Sequence, residues 1–98
     1  MDMQKHLLYL TNMTISEMNS LKIRGVVAEW SEEENTAKMT FYFDGEISED
    51  EREDAAIACT EIIAHFYDSL LEENFLRLDY PKPLPERFLA YKRKEEVA

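Results

Sequence analysis

The pair Glu61 and His65 has the spacing of two metal ligands. The two side chains stand four residues apart in a segment with helical periodicity, so they would share one helix face. Carboxylate and imidazole groups bind zinc, and Asp68 or Glu72 would have to supply a third ligand. Such a pair is also typical of a helical salt bridge or a solvated face. A small metal-binding protein or enzyme is therefore kept as an alternative, and no metal or other cofactor is predicted.

Other catalytic motifs are missing from the sequence. Gly25 and Gly45 are the only glycines, so the chain has neither a phosphate-binding loop nor a G-x-S-x-G nucleophile motif. The single cysteine, Cys59, excludes an internal disulfide and a cysteine-based zinc cluster. Its alanine and isoleucine neighbours indicate a core residue. The sequence therefore predicts a protein that is not an enzyme.

The charge of the chain narrows the class of its partner. The 98 residues carry a net charge of −10. Nucleic acid and anionic membranes would repel such a protein, so neither is predicted as a direct partner. The first ten residues have the pattern of neither a signal peptide nor a membrane span, which predicts a cytoplasmic location. A protein with a basic surface is the partner that the charge favours.

The acidic side chains are concentrated in one third of the chain. Residues 31–60 contain ten acidic and two basic side chains, a net charge of −8. The acids at positions 49–51 would stabilise a helix N-terminus, where Ser48 and Glu51 form a capping-box pattern. The remaining acidic side chains are not needed to stabilise the helix N-terminus, so we predict that they form a docking surface for a basic partner. The competing interpretation is a solvated face that keeps the protein soluble. The candidate residues are Glu32, Glu33, Glu34, Asp44, Glu46, Glu49, Asp50, Glu53, Asp54 and Glu61.

Apolar periodicity predicts six structural elements. They are two helices, at residues 3–12 and 49–71, and four strands, at residues 22–30, 37–43, 74–81 and 87–93. We expect one α+β domain spanning residues 1–98, in the order α-β-β-α-β-β. Two hairpins would form an antiparallel or mixed four-stranded sheet with the helices packed on one face.

This arrangement places the candidate acids in two groups. The turn at residues 32–34 would lie at one end of the first hairpin, and Asp44 and Glu46 would lie at the other end, beside the long helix.

Self-association through the open sheet face or an edge strand, giving a homodimer, is a second option for binding. The residues expected on that open face are Arg24, Trp30, Lys38, Tyr42, Arg77 and Asp79.

Three stretches of the sequence resemble a known family. They are residues 42–48 (YFDGEIS), 60–64 (TEIIA) and 75–85 (FLRLDYPKPLP). Their pattern is similar to that of the small immunity proteins of bacterial contact-dependent growth inhibition systems, and it covers most of residues 22–94. The resemblance carries over no established contact residues.

The resemblance implies a function that agrees with the charge. Such immunity proteins bind and neutralise the toxic C-terminal domain of an effector, often a nuclease, in the cytosol, and they are not enzymes. A nuclease needs a basic surface for its substrate, so a cognate toxin domain with such a surface would suit an acidic binder. The alternatives are the metal protein described above and an acidic adaptor domain unrelated to toxins.

Overall fold

Residues 2–95 are described by a computed structural model, in which two helices pack against a four-stranded sheet. The elements are α1 (Met3–Met18), β1 (Ile23–Ser31), β2 (Thr36–Phe43), α2 (Glu49–Ile63), β3 (Leu70–Arg77) and β4 (Leu89–Lys92). The strand order is β3-β2-β1-β4; β1 is antiparallel to β2 and β4, whereas β2 and β3 are parallel. The predicted α+β class and element order are confirmed.

The core lies between the two helices and one face of the sheet. Alternate residues of β1 and β2 point into it, among them Val26, Met39 and Phe41, which are fully buried. Leu7 of α1 and Cys59 of α2 belong to the same cluster. Burial raises the pKa of the Cys59 thiol, so this cysteine is a protonated core residue, as its neighbours in the sequence indicated.

α1 is longer than the predicted helix because the buried stripe that begins at Leu7 continues to Ile15. Its first turn is attached to β1 through the side-chain amide of Gln4. That amide donates a hydrogen bond to the Ala28 carbonyl and accepts one from the Trp30 N–H, both at 2.8 Å. Within residues 2–95, neither helix is long and apolar enough to cross a membrane.

α2 begins where the sequence predicts and ends earlier. Both hydrogen bonds of the Ser48–Glu51 capping box are formed at its N-terminus. The helix ends at Ile63, and residues 64–69 form a turn in which Asp68 has a left-handed backbone, with φ of 59°. Leu70 and Leu71, which were predicted to lie in the helix, belong to β3.

The predicted second hairpin is wrong. α2 returns the chain from the end of β2 to its start, so β3 begins with Leu70 opposite Thr36 and runs parallel to β2. β4 pairs with β1 at the opposite edge of the sheet. Residues 78–88 connect the two edges, and Leu84 packs on Gly25, where an added Cβ would lie only 3.1 Å from the Leu84 Cδ1.

A buried arginine joins the sheet to the segments that flank β4. A bulge in β1 between Ile23 and Gly25 accommodates Arg24, of which only 2% is exposed. Its guanidinium donates hydrogen bonds to the Glu95 carboxylate at 2.6 and 3.0 Å and to the Leu78 carbonyl at 2.8 Å. A buried charge is tolerated only with such partners, so this ion pair fixes where both segments lie.

Glu95→Gln should lower the free energy of unfolding by about 1–3 kcal/mol, because it removes the charge that a buried guanidinium binds. Urea denaturation at pH 7 measures this loss. Glu34→Gln is the matched control, since Glu34 pairs with Lys38 at an exposed site, where an ion pair contributes about 0–1 kcal/mol. Equal losses in the two variants would contradict the structural role of Glu95.

Glu95 should also make stability depend on pH. The hydrogen bond from Arg24, with a further one from Arg93, lowers the pKa of the Glu95 carboxyl. Such a group adds stability above its unfolded pKa and loses that contribution as the pH falls through its folded pKa. In Glu95→Gln, the loss of stability below about pH 4 should be smaller than in the unsubstituted protein. An unchanged acid dependence would count against the pair.

Candidate partner-binding surface

The predicted acids lie at two opposite ends of the sheet and along α2. Three of them occupy the turn between β1 and β2, residues 32–35, which we call the hairpin turn. Its Asn35 side chain donates a hydrogen bond to the Asp68 carbonyl at 2.7 Å, so the turn lies beside the C-terminal end of α2. The N-terminus of α2 lies past the other end of β2, whose eight residues span about 26 Å. The two groups are therefore separate, as predicted.

The hairpin turn is acidic and partly neutralised. Glu34 pairs with Lys38 at 3.1 Å, and this hydrogen bond raises the pKa of the lysine. Glu32 and Glu33 are exposed and make no ion pair within residues 2–95. The turn thus presents two carboxylates without a counter-ion.

Asp44 is bonded within the protein. Its Oδ2 accepts a hydrogen bond from Arg93 at 3.0 Å, and its Oδ1 accepts one from the Tyr80 N–H at 3.3 Å. The next residue, Gly45, has φ of 87° and donates its N–H to Asp79 Oδ1 at 2.7 Å. Two of the stretches that carry the family resemblance therefore meet here, and they hold the junction between β2 and α2.

Five exposed carboxylates surround the N-terminal half of α2, and we call them the acidic cap. They are Glu46, Glu49, Asp50, Glu53 and Asp54. None of them makes an ion pair in the described part of the chain, residues 2–95. The neighbouring cations are engaged elsewhere: Lys22 contacts the Glu46 carbonyl oxygen at 3.1 Å and Glu51 at 4.0 Å, and Arg52 lies over the Phe75 ring. The cap therefore carries a net negative charge that faces solvent.

A groove between α1 and α2 extends this negative surface along the helical layer. It has a volume of about 310 Å³, and we call it the inter-helix groove. Its lining residues are Thr14, Glu17, Met18, Asp54, Ile57, Ala58 and Glu61. The structure thus brings two predicted residues, Asp54 and Glu61, together with Glu17, which the sequence reasoning missed. The sequence analysis ended the first helix at residue 12, so it did not place Glu17 beside α2.

Comparison with protein families identifies the family to which the chain belongs. The model of the MafI2 immunity protein family matches residues 4–95. The chain belongs to the MafI2 immunity protein family. No curated protein matches the chain. Maf systems are polymorphic toxin systems close to contact-dependent growth inhibition, so the resemblance to small toxin-immunity proteins is confirmed, and a MafI2 immunity protein has a cognate toxin as its partner.

The MafI2 match bears on the alternative interpretation of Glu61 and His65. Immunity protein families are generally non-enzymatic. Both side chains are exposed, and His65 lies just beyond the last residue of α2. Residues 2–95 contain no group of three His, Cys, Asp or Glu side chains that could hold a metal ion. In this part of the chain the pair lacks the further ligand that a zinc site requires.

The open sheet face of this MafI2 protein differs from the prediction at four positions, one of which, Asp79, lies beyond the last residue of β3. Trp30 faces the helices and stacks on Phe66, with ring centroids 5.4 Å apart. Arg24 is buried, and Arg77 aligns with the core-facing side of β2, where it pairs with Asp79 at 3.0 Å. The two β2 residues predicted on the face remain there. Self-association through this face stays a prediction.

His65→Ala should leave the thermal stability and the metal content of this MafI2 protein unchanged, because the imidazole is exposed and has no set of co-ligands within residues 2–95. Calorimetry and elemental analysis of protein purified without chelators measure both quantities. Stoichiometric zinc in the unsubstituted protein that disappears in the variant would restore the metal interpretation.

Proposed function

We propose that this MafI2 family member neutralises its cognate toxin in the cytoplasm, without catalysis, by binding a basic surface of the toxin domain with the acidic cap. One observation carries the proposal: the five cap carboxylates crowd one end of α2, and no cation within residues 2–95 pairs with them. A surface of one charge sign speeds the association of an oppositely charged protein, and it disfavours partners of like charge.

Hydrogen bonds and core packing hold the helix that carries the acidic cap in place. The Ser48 hydroxyl accepts a hydrogen bond from the Glu51 N–H at 3.1 Å, and the Glu51 carboxylate accepts one from the Ser48 N–H at 3.0 Å. Hydrogen bonding from Ser48 to the Glu51 carboxylate lowers the pKa of that carboxyl, and the two bonds together fix the first turn of α2. Ala55 and Cys59, one and two turns further along, are buried and anchor the helix in the core. Charges carried by a packed helix lose little backbone freedom on binding.

Helix stability alone does not account for the cap. Carboxylates in the first turn gain about 0.3–1 kcal/mol each from the helix dipole, and this effect fades beyond that turn. Glu53 and Asp54 lie beyond the first turn of α2, where repulsion from the other cap residues opposes folding. A role in binding accounts for these two carboxylates.

A nuclease is the class of toxin that we propose as the partner, in a contact-dependent growth inhibition system or a related Maf system. An enzyme that cleaves nucleic acid needs positive charge around the phosphates of its substrate. An acidic protein bound on or beside that positive surface would block access and repel the substrate. The acidic cap supplies the matching charge.

Reversing charge at the acidic cap should slow toxin binding. The double variant Glu53→Lys, Asp54→Lys should associate with the toxin domain about tenfold more slowly, or worse, at low ionic strength. Surface plasmon resonance measures the rate, with a catalytically disabled toxin domain produced from the reading frame next to the gene of this chain. The two positions avoid the first turn of α2, so the helix dipole contributes little to the result.

The matched control reverses charge at the hairpin turn with Glu32→Lys and Glu33→Lys. Each double variant changes the net charge from −10 to −6, so long-range effects of total charge are equal in both. A larger decrease for the cap variant, with circular dichroism showing that both proteins are folded, supports the proposal. Equal rates, or a larger decrease for the hairpin-turn variant, would contradict the cap as the contact.

A further inference from the structure

We infer that the inter-helix groove receives an arginine side chain from the basic surface of the toxin domain. This inference rests on the proposed function and adds the chemistry of one contact. The acidic cap would steer the two proteins together, and the groove would hold the complex once it has formed. Three features of the groove support this inference: its shape, its apolar floor and its charged rim.

The floor of the groove is apolar and has room for one side chain. Ala58 is 3% exposed and Met18 is partly buried, while Ile57 stands at the wall with 58% of its surface exposed. Isolated exposed apolar residues are common on protein surfaces. Here the exposed isoleucine borders a concavity of about 310 Å³, the lower end of the range for small-molecule sites. A single long side chain from a partner can enter this space and bury Ile57.

The rim carries three carboxylates contributed by two helices. They are Glu17 of α1 and Asp54 and Glu61 of α2. Their side chains make no hydrogen bond or ion pair within residues 2–95. No group of three acidic, histidine or cysteine side chains in that range could hold a metal ion. The charge of the rim is thus complementary to a basic side chain of the partner.

Arginine fits both the floor and the rim. Its methylene stem packs on apolar surface while its charged head remains with polar groups. Its planar guanidinium carries five donors and can bind carboxylates on two sides, whereas the lysine ammonium is a compact point charge. Arginines in pockets are also enriched among the residues that dominate binding energy at protein interfaces.

The first test neutralises the rim without changing its shape. Glu17→Gln with Glu61→Gln should bind the toxin domain about tenfold more weakly or worse, mainly through faster dissociation. Neither residue belongs to the acidic cap. Because Asp54 belongs to both the cap and the rim, the kinetics separate the two tests: the cap variant should slow association, whereas this variant should speed dissociation. The matched control is Glu32→Gln with Glu33→Gln, which removes the same charge at the hairpin turn and should change the affinity by less than about threefold.

The second test removes the apolar contact. Ile57→Ala should weaken binding by about fivefold or more at an unchanged association rate. Leu70→Ala is the matched control, because Leu70 is similarly exposed, 65% against 58%, at the start of β3 and away from the groove. Both residues are exposed, so their truncation leaves the core intact.

A double-mutant cycle identifies the arginine. Each arginine of the toxin domain is changed to lysine and measured with and without Glu61→Gln; the arginine in the groove should be the one whose loss is not additive with that substitution. If the unsubstituted protein binds and the groove variants match their controls, or no arginine couples to Glu61, the inference is overturned and the proposed function stands. If the unsubstituted protein fails to bind the toxin domain, the proposed function fails and the inference with it.

Discussion

The buried ion pair between Arg24 and Glu95 is the interaction on which the rest of the structure depends. Among residues 2–95, Arg24 is the one charged side chain that is fully buried. An unpaired charge at that position would cost several kcal/mol, so the chain after β4 has to return to it. Arg93 extends the network from Glu95 to Asp44 at the end of β2. The same bonds that enclose the arginine therefore fix the point from which α2 begins.

The acidic side chains of this MafI2 protein fall into two groups with different consequences. Those that the fold requires are bonded, as Asp44 is to Arg93 and Asp79 is to the Gly45 N–H and Arg77. Those of the acidic cap and the groove rim face solvent without a counter-ion in the described part of the chain, residues 2–95. Because the two groups do not overlap, the charge presented to a partner can change without loss of a bond that holds the fold.

The sequence predicted those features of the fold that depend on interactions between residues close together in the chain. The capping box at Ser48 marked the start of α2, and strand alternation gave the first hairpin and its buried face. The end of α2 was missed because Leu70 continues the apolar stripe of the helix, although it pairs in β3. The acidic cap is contiguous in sequence and was predicted. The contribution of Glu17 to the groove was not predicted, because it depends on how α1 packs beside α2. The sequence also does not show that Asp44 is bonded to Arg93.

A structure of this protein bound to its toxin domain tests the central claim most directly. Our account predicts that α2 and the inter-helix groove contribute the largest share of the buried surface, with lysine and arginine side chains of the toxin within about 4 Å of the cap carboxylates. A toxin domain seated on the open face of the sheet or on the hairpin turn, with the acidic cap left in solvent, would contradict it.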